Sequence, residues 1–164
     1  MADELTFVMI RHAHDAHTYA ARAMDPLDEL GRRQAHAIAQ RLLSTKGLVP
    51  EGEIFILEPH DVRGVQTAVI LGDEFSDAGR LVRRLVEPGL DESNVFSPEN
   101  MPQPANDARV VFAVSHEPNI TALVEVTTGE TVAVDHAVAC VVRAPGRNWR
   151  AGFDSPRLAG VLRP

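Results

Sequence analysis

The segment FVMIRHAHDAH, residues 7–17, places one arginine and three histidines directly after an apolar run. Two further residues of these types, Arg63 and His116, follow other apolar runs farther along the chain. A guanidinium offers paired donors to phosphate oxygens, and a neutral imidazole can attack phosphorus through one ring nitrogen while the other is held. If Arg11, His12, Arg63 and His116 lie together, they predict a strongly positive pocket for a compact, multiply charged anion such as phosphate.

These residues can meet because apolar, β-branched runs alternate with helix-like segments. The runs LTFVMI, EIFIL, RVVFAVS and VACVVR are separated by PLDELGRRQAHAIAQRLL, DVRGVQTAVILGDEF and NITALVEVTTG. This alternation predicts an α/β fold, a three-layer sandwich in which a mainly parallel central sheet carries helices on both faces. Ligands of such sheets bind beyond the carboxyl ends of the strands, which is where the four candidate residues fall.

The helical segments carry apolar stripes and capping residues. Asp28 and Asp61 are placed to cap the first two helices through their side-chain oxygens. Residues 88–107, rich in Pro, Asn and acids, predict an exposed irregular loop, and residues 147–154 predict a late edge strand. The stripes expected to face the sheet are Leu30, Gln34, Ile38 and Leu42 with Ala35 and Ala39 in the first helix, and Val62, Val65 and Val69 in the second.

Composition limits the classes of protein to consider. A chain of 164 residues with 45% hydrophobic residues predicts a single domain over residues 1–164. The 16 basic against 23 acidic residues give a net charge of -7, which argues against a general affinity for nucleic acid or for an anionic membrane. Cys140 is the single cysteine, so no internal disulfide can form and we expect a buried thiol in a cytoplasmic protein. We also expect a monomer or weak homodimer.

Four motifs, in this order, resemble those of the histidine phosphatase superfamily, also called the phosphoglycerate mutase-like family. They are RHA after the first strand, PLDELGRRQA on the first helix, RGVQTA opening the second, and SHEP after a later strand. The resemblance covers most of the chain, and the short length and the SHEPNITALVEVTTGE run are most similar to the phosphohistidine phosphatase (SixA-type) members. It implies a phosphoglycerate mutase-like fold and turnover through a phosphorylated histidine.

The resemblance also implies which residues form the site. By position, His12 is the histidine that becomes phosphorylated, and Arg11 is its neighbouring phosphate ligand. The arginine of the family's R-x-x-Q-T element falls on Arg63, and the second histidine, at the G-H-x-P position, falls on His116. Arg11, Arg63 and a protonated His116 would neutralise the phosphoryl oxygens during transfer.

Three functions remain open at this point. The first is a metal-independent phosphatase that acts on phosphohistidine, in a protein or in a small phosphorylated compound. The second is a small-molecule phosphomonoesterase with Glu87 as the general acid, Glu58 and Asp15 being weaker candidates. The third is a weakly catalytic phospho-ligand binding module, because the loop from Glu58 to Arg63, within LEPHDVRG, departs from the family's usual Ser-Ser-Pro by two acids, Glu58 and Asp61, and by one additional residue before Arg63.

His14 and His17, with Asp15 between them, have the H-x-x-H spacing of some metal sites. A protein metal site normally needs three or four convergent ligands, and no Cys or Glu-x-x-His element accompanies these residues. We therefore expect no metal and no cofactor. The side chains are expected to form the rim of the phosphate pocket.

Overall fold

The structure is a computed structural model that describes residues 3–17, 22–151, 153 and 155–164. In these ranges the strands are β1 (Glu4–Arg11), β2 (Glu53–Glu58), β3 (Leu81–Val86), β4 (Val110–Ser115), β5 (Ala139–Pro145) and β6 (Arg157–Leu162), and the α-helices are α1 (Glu29–Ser44), α2 (Val62–Asp77) and α3 (Asn119–Thr128). The sheet order is β3-β2-β4-β1-β5-β6. Neighbours from β3 to β1 are parallel, whereas β5 and β6 are antiparallel to their neighbours. The predicted α/β fold with a mainly parallel sheet is confirmed.

The sheet buries apolar side chains on both faces because successive residues of a strand point to opposite sides. In β1, Val8 and Ile10 pack in the core that includes α1 and α2, whereas Phe7 and Met9 pack in the core that includes α3. Cys140 belongs to the second core, as expected, and burial raises the pKa of its thiol to about 11. Strand β1 is therefore buried on both faces, and the RHA motif lies at its carboxyl end. No helix in the described ranges has the length and apolar character needed to cross a membrane.

Helix α1 begins and packs largely as predicted. Asp28 caps it, since the Asp28 Oδ1 atom accepts a hydrogen bond of 2.8 Å from the backbone N–H of Gly31. Ala35, Ile38, Ala39 and Leu42 are buried, while the side chain of Leu30 is 43% exposed. The predicted stripe therefore begins one turn too early.

Helix α2 is capped as predicted but turns a different face inward. The Asp61 Oδ1 atom accepts a 2.9 Å hydrogen bond from Gly64 N–H. The predicted stripe of Val62, Val65 and Val69 is wrong, because these side chains are only partly buried. The buried residues of α2 are Arg63, Gly64, Thr67, Ala68, Ile70, Leu71, Gly72 and Phe75. Because α2 packs against both the sheet and α1, its buried face is wider than a single stripe and includes polar residues.

Residues 88–107 are irregular, as predicted, but they are not simply exposed. They contain short 3₁₀ turns, and Leu90, Phe96, Met101 and Ala105 are buried in the same core as α3. The loop is thus anchored beside the sheet by apolar side chains.

The predicted strand at residues 147–154 is wrong for the described residues of that range, which form bends and turns. Trp149 is fully buried, and its Nε1 donates a 2.8 Å hydrogen bond to the carbonyl of Ala108. The last strand is β6, which begins at Arg157. Trp149 therefore finds its apolar cover in a loop rather than in a strand.

Candidate active site

The candidate residues lie at the carboxyl ends of neighbouring parallel strands. Arg11, the last residue of β1, is in register with Ser115, the last residue of β4, and the backbone N–H of His12 donates a 3.0 Å hydrogen bond to the Ser115 carbonyl. His12 and His116 therefore begin adjacent loops, with ring centroids 5.1 Å apart. Strand β2 lies next to β4, and Arg63 lies in the first turn of α2, which follows it.

His12 is held as a neutral imidazole. Its ring is 3% exposed, and its Nδ1 lies 2.8 Å from the carbonyl of Ala13, which fixes the proton on Nδ1. Burial, together with the nearby charges of Arg63 and His116, lowers the pKa of His12 to about 3. The Ala13 N–H donates to the Thr67 hydroxyl, which holds the loop on α2. The Nε2 atom therefore carries the lone pair that can react.

Arg63 does not lie in a purely cationic pocket. Its guanidinium is 2% exposed and meets three carboxylates: Asp15 at 2.6 Å, Glu92 at 3.1 Å and Asp61 at 3.5 Å. The prediction of a strongly positive pocket is wrong in this respect. A buried guanidinium without an anionic ligand is costly unless it has counterions. The carboxylates supply the negative charge that a bound phosphate would supply.

Asp15 is the most deeply buried of these counterions. It is fully buried, and its carboxylate contacts Arg63, Arg22 at 3.2 Å and His17 at 2.7 Å. Burial alone would raise its pKa, but hydrogen bonds from Arg63 and Arg22 lower the pKa of Asp15 to about 2. Asp15 thus stays ionised near neutral pH, so it is a poor general acid.

His116 and Asp61 form a close pair behind this guanidinium. His116 is 1% exposed, and its Nε2 lies 2.7 Å from the Asp61 Oδ2 atom. Burial lowers the pKa of His116 and raises the pKa of Asp61, although each partner's charge acts in the opposite sense. The protonated His116 implied by the family resemblance is therefore disfavoured until an anion binds beside it.

Arg11, at the end of β1, lies near a histidine that was not predicted from the sequence, His136. The Arg11 Nη1 atom donates a 3.0 Å hydrogen bond to the Val134 carbonyl. Next to it, the ring of His136 lies 5.4 Å from that of His12, and burial together with the charge of Arg11 lowers the pKa of His136 to about 4. A signal existed: His136 lies three residues before β5, which pairs antiparallel with β1 and begins opposite Ile10 near the end of β1.

His14 lies at the partly exposed edge of the site, as predicted for a rim residue. Its Nδ1 lies 2.6 Å from the Asp28 carboxylate, and its backbone N–H donates to the Gln34 side chain. A side chain at Gly31 would not fit, because its Cβ would lie 1.9 Å from the His14 carbonyl oxygen. The glycine of the PLDELGRRQA motif is thus explained by the close approach of α1 to the His14 backbone.

Asp15, His17 and Asp25 form a group that could hold a metal ion, since their ligand atoms lie within 4.8 Å of one another. The sequence pattern pointed to His14 instead of Asp25. Two guanidiniums, those of Arg22 and Arg63, already contact Asp15 and would repel a cation there. The absence of a metal therefore stays a prediction.

The acids considered as proton donors have other partners. The Glu87 Oε1 atom accepts a 2.9 Å hydrogen bond from Gly89 N–H and caps a short turn. Glu58 is 6% exposed, and its carboxylate lies 2.8 Å from Arg84; burial raises the pKa of Glu58. Neither Glu58 nor Glu87 is among the described residues that line the cavity beside the site.

That cavity has a volume of about 600 Å³ and opens next to His116. A space of this size accommodates a small organic molecule or a large side chain. The described residues that line it are Ala23, Met24, His60, Asp61, Val62, Asp91, Glu92, Ser93 and His116.

No family model and no curated protein matches the sequence. Solved structures do match it over nearly their whole length. The protein histidine phosphatase SixA complexed with tungstate has a TM-score of 0.75 at 19% identity, covering 97% of each chain. A SixA protein from Nakamurella multipartitia has a TM-score of 0.74 at 22% identity, covering 99% of this chain and 98% of its own. A mycobacterial glucosyl-3-phosphoglycerate phosphatase in complex with VO3 has a TM-score of 0.64 at 18% identity, covering 95% and 98%. The chain therefore has the fold of the histidine phosphatase superfamily, the fold that its four motifs predicted.

Proposed function

We propose that the protein is a metal-independent phosphatase that hydrolyses a phosphoryl group through a phosphohistidine formed on His12, and that its substrate is itself a phosphohistidine. The observation that carries this proposal is the state of His12. Its ring is buried and neutral, and its Nδ1 proton is held by the Ala13 carbonyl. These are the conditions under which an imidazole acts as a nucleophile rather than as a cationic phosphate ligand.

In the first step, the lone pair of His12 Nε2 attacks phosphorus, and the bond from phosphorus to the leaving nitrogen breaks. Arg11, Arg63 and His116 offset the negative charge of the phosphoryl oxygens. The leaving group would enter the cavity beside His116, and the proton for its nitrogen would come from the His116 and Asp61 pair, whose Nε2 and Oδ2 atoms lie 2.7 Å apart. In the second step, water attacks phosphorus and the bond from phosphorus to His12 Nε2 breaks. One proton of the water returns to the His116 and Asp61 pair, so phosphate leaves and neutral His12 is restored.

Binding of the phosphoryl group requires an exchange of partners at Arg63. The Arg63 Nη2 atom lies 3.1 Å from the Glu92 carboxylate, whose side chain is 58% exposed. The Asp15 carboxylate on Nη1 is fully buried. The exposed Glu92 is therefore the counterion that a phosphoryl oxygen displaces, and Asp15 stays to orient the guanidinium.

Phosphohistidine is favoured over a phosphate ester because its leaving nitrogen is far easier to protonate than an alkoxide. Ester cleavage needs a strong general acid near the leaving oxygen. Glu87, the acid considered for that role, is engaged with Gly89 N–H outside the described lining of the cavity.

The alternative of a weakly catalytic binding module has one supporting observation. Arg63 is surrounded by the carboxylates of Asp15, Asp61 and Glu92, so phosphate must compete for it. A module of this kind would bind phosphate without forming a phosphoenzyme.

The test uses a phosphohistidine peptide and a generic aryl phosphate as substrates, with and without a chelator. We expect phosphate release from the peptide to be faster, to be unchanged by chelator, and to pass through a trapped phosphohistidine at His12. His12→Asn keeps a donor for the Ala13 carbonyl and should abolish both turnover and trapping. The matched control is His36→Asn, which removes an exposed histidine on α1 and should act like the wild type. Equal turnover by the His12→Asn protein would refute the proposal, and binding without turnover in the wild type would favour the module.

A further inference from the structure

The cavity beside His116 contains a polar atom that its surroundings do not satisfy. Although His116 is 1% exposed, neither ring nitrogen makes a hydrogen bond to the described residues; Nε2 has the Asp61 carboxylate 2.7 Å away, whereas Nδ1 has no such partner. Buried polar atoms are normally paired, so this nitrogen points to a ligand in the adjacent space. The volume of about 600 Å³ is more than a phosphoryl group needs, which leaves room for the organic part of a substrate.

One wall of the cavity is acidic and fixed in place. Asp91 and Glu92 lie on the loop that follows β3, and Asp91 accepts a 2.8 Å hydrogen bond from the His60 backbone N–H. The Asn119 side-chain amide donates to the backbone carbonyls of Asp91, Glu92 and Asn94 at 2.8 to 3.3 Å. Because Asn119 begins α3, the acidic segment is tied to the body of the protein rather than free to swing away.

Few positive charges oppose this wall. Burial lowers the pKa of His116, and any charge that His116 gains beside a phosphoryl group faces the Asp61 carboxylate at 2.7 Å. The Arg63 guanidinium is shared with the buried Asp15, and the His60 ring lies 3.0 Å from the Asp91 carboxylate. When a phosphoryl oxygen takes the place of Glu92 on Arg63, the Glu92 carboxylate loses its partner and faces the cavity. The cavity is thus negative in the state that holds substrate.

We propose that this cavity selects substrates whose organic part carries a positive charge close to the phosphoryl group, with Asp91 and Glu92 as the specificity-determining residues. The inference rests on the proposed function, because attack by His12 is what directs the organic part toward His116. A phosphohistidine meets the requirement when its imidazole is protonated on departure. Phosphorylated compounds that carry an ammonium group meet it throughout.

The test compares two ligands of the same shape that differ by one charge. Phosphocholine carries a quaternary ammonium. Its neutral counterpart, 3,3-dimethylbutyl phosphate, has a carbon atom in place of that nitrogen. Dissociation constants are measured by calorimetry on the His12→Asn protein, so that turnover does not interfere. We expect phosphocholine to bind roughly threefold to tenfold more tightly, the range for one charge beside two partly exposed carboxylates.

The preference should fall toward onefold when Asp91→Asn and Glu92→Gln are combined in this background. It should be unchanged by Glu99→Gln, which removes an exposed charge from the same loop outside the lining of the cavity. It should also shrink as salt rises from about 50 to about 500 mM, because screening weakens charge pairs at this distance. If the double variant does not fold, Glu92→Gln alone gives the same comparison at an exposed position. Any effect of Glu92 on phosphate binding itself cancels in the ratio of the two constants.

Equal affinity for the two ligands, or a preference that survives both substitutions, would overturn the inference. The proposed function fails separately, when the wild type forms no phosphohistidine at His12. A charge preference without a phosphoenzyme would leave the inference standing and remove the catalytic proposal. A phosphoenzyme without a charge preference would support the catalytic proposal and overturn the inference about the cavity.

Discussion

Acidification should destabilise the fold through the histidines of the site. The pKa values of His12 and His136 are lowered from 6.5 to about 3 and about 4. As the pH falls below 6.5, the unfolded chain binds protons at these rings and the folded chain does not. The stabilisation from the neutral rings is therefore fully present above pH 6.5 and is lost progressively as the pH falls toward 4.

The magnitude follows from the width of this window. Each ring changes the free energy of unfolding by at most about 1.4 kcal/mol per pH unit. His136 is only partly buried and is discounted for solvent screening, so both rings together should cost roughly 2 to 3 kcal/mol between about pH 6 and about pH 4.5. The raised pKa values of Asp61 and Glu58 increase the free energy of unfolding as the pH falls, whereas the lowered pKa of His116 decreases it. These contributions therefore oppose each other. Asp15, whose pKa is lowered to about 2, loses its contribution only below about pH 4.

Urea unfolding at several pH values measures this dependence. The wild type should lose stability steadily from about pH 6 to about pH 4.5, and His12→Asn should remove at least half of the slope because it removes the more deeply buried ring. His36→Asn is the control, since it deletes an exposed histidine outside the site. A wild-type stability that is flat over this interval, or a slope that His12→Asn leaves intact, would refute the claim that His12 is buried as a neutral ring.

Two further substitutions probe the phosphate site and its support. Glu92→Gln should tighten binding of inorganic phosphate about twofold to fivefold, because it removes an exposed carboxylate that competes with phosphate for the Arg63 guanidinium. Calorimetry measures the dissociation constant, with Glu99→Gln as the control. An unchanged affinity would contradict this prediction. Gly31→Ala should destabilise the fold by about 1 to 3 kcal/mol, because the new methyl group would lie 1.9 Å from the His14 carbonyl oxygen. Thermal unfolding checks it against Gly160→Ala, whose methyl group meets no atom within 4 Å, and equal melting temperatures would show that α1 can move aside.

The fold could be predicted because its signals are local. Strands β1, β2, β4 and β5 are short apolar runs that the sequence predicted, whereas β3 (LVRRLV) and β6 (RLAGVL) were not among the predicted runs. Asp28 and Asp61 cap their helices through contacts three residues away. The positions of His12 and His116 follow from the parallel pairing of β1 with β4. The alternation of strands and helices indicates parallel strands, but not which strands are neighbours. His136 was missed because it precedes an antiparallel strand, and the pairing of β5 with β1 leaves no local pattern in the sequence.

The charge balance of the site could not be predicted for a related reason. Asp15 and Arg63 are 48 residues apart, and Glu92 lies in an irregular loop whose path is set by buried apolar side chains such as Phe96. Residue types alone showed the cations and suggested that only a phosphate would hold them together. The structure shows that the carboxylates of Asp15 and Glu92 contact Arg63.

The carboxylates around Arg63 reduce the free energy that phosphate can gain by binding there. A bare pair of guanidiniums would gain the full attraction of a dianion. Under the proposed function, the dianion would gain only its advantage over the Glu92 carboxylate that it would replace on Arg63. Asp15 contributes the same charge before and after that exchange, since it stays buried on the other nitrogen. The phosphoryl group alone should therefore be held weakly, and much of the binding energy of a good substrate must come from its organic part. That places the discrimination between substrates in the cavity beside His116 rather than at the phosphate ligands.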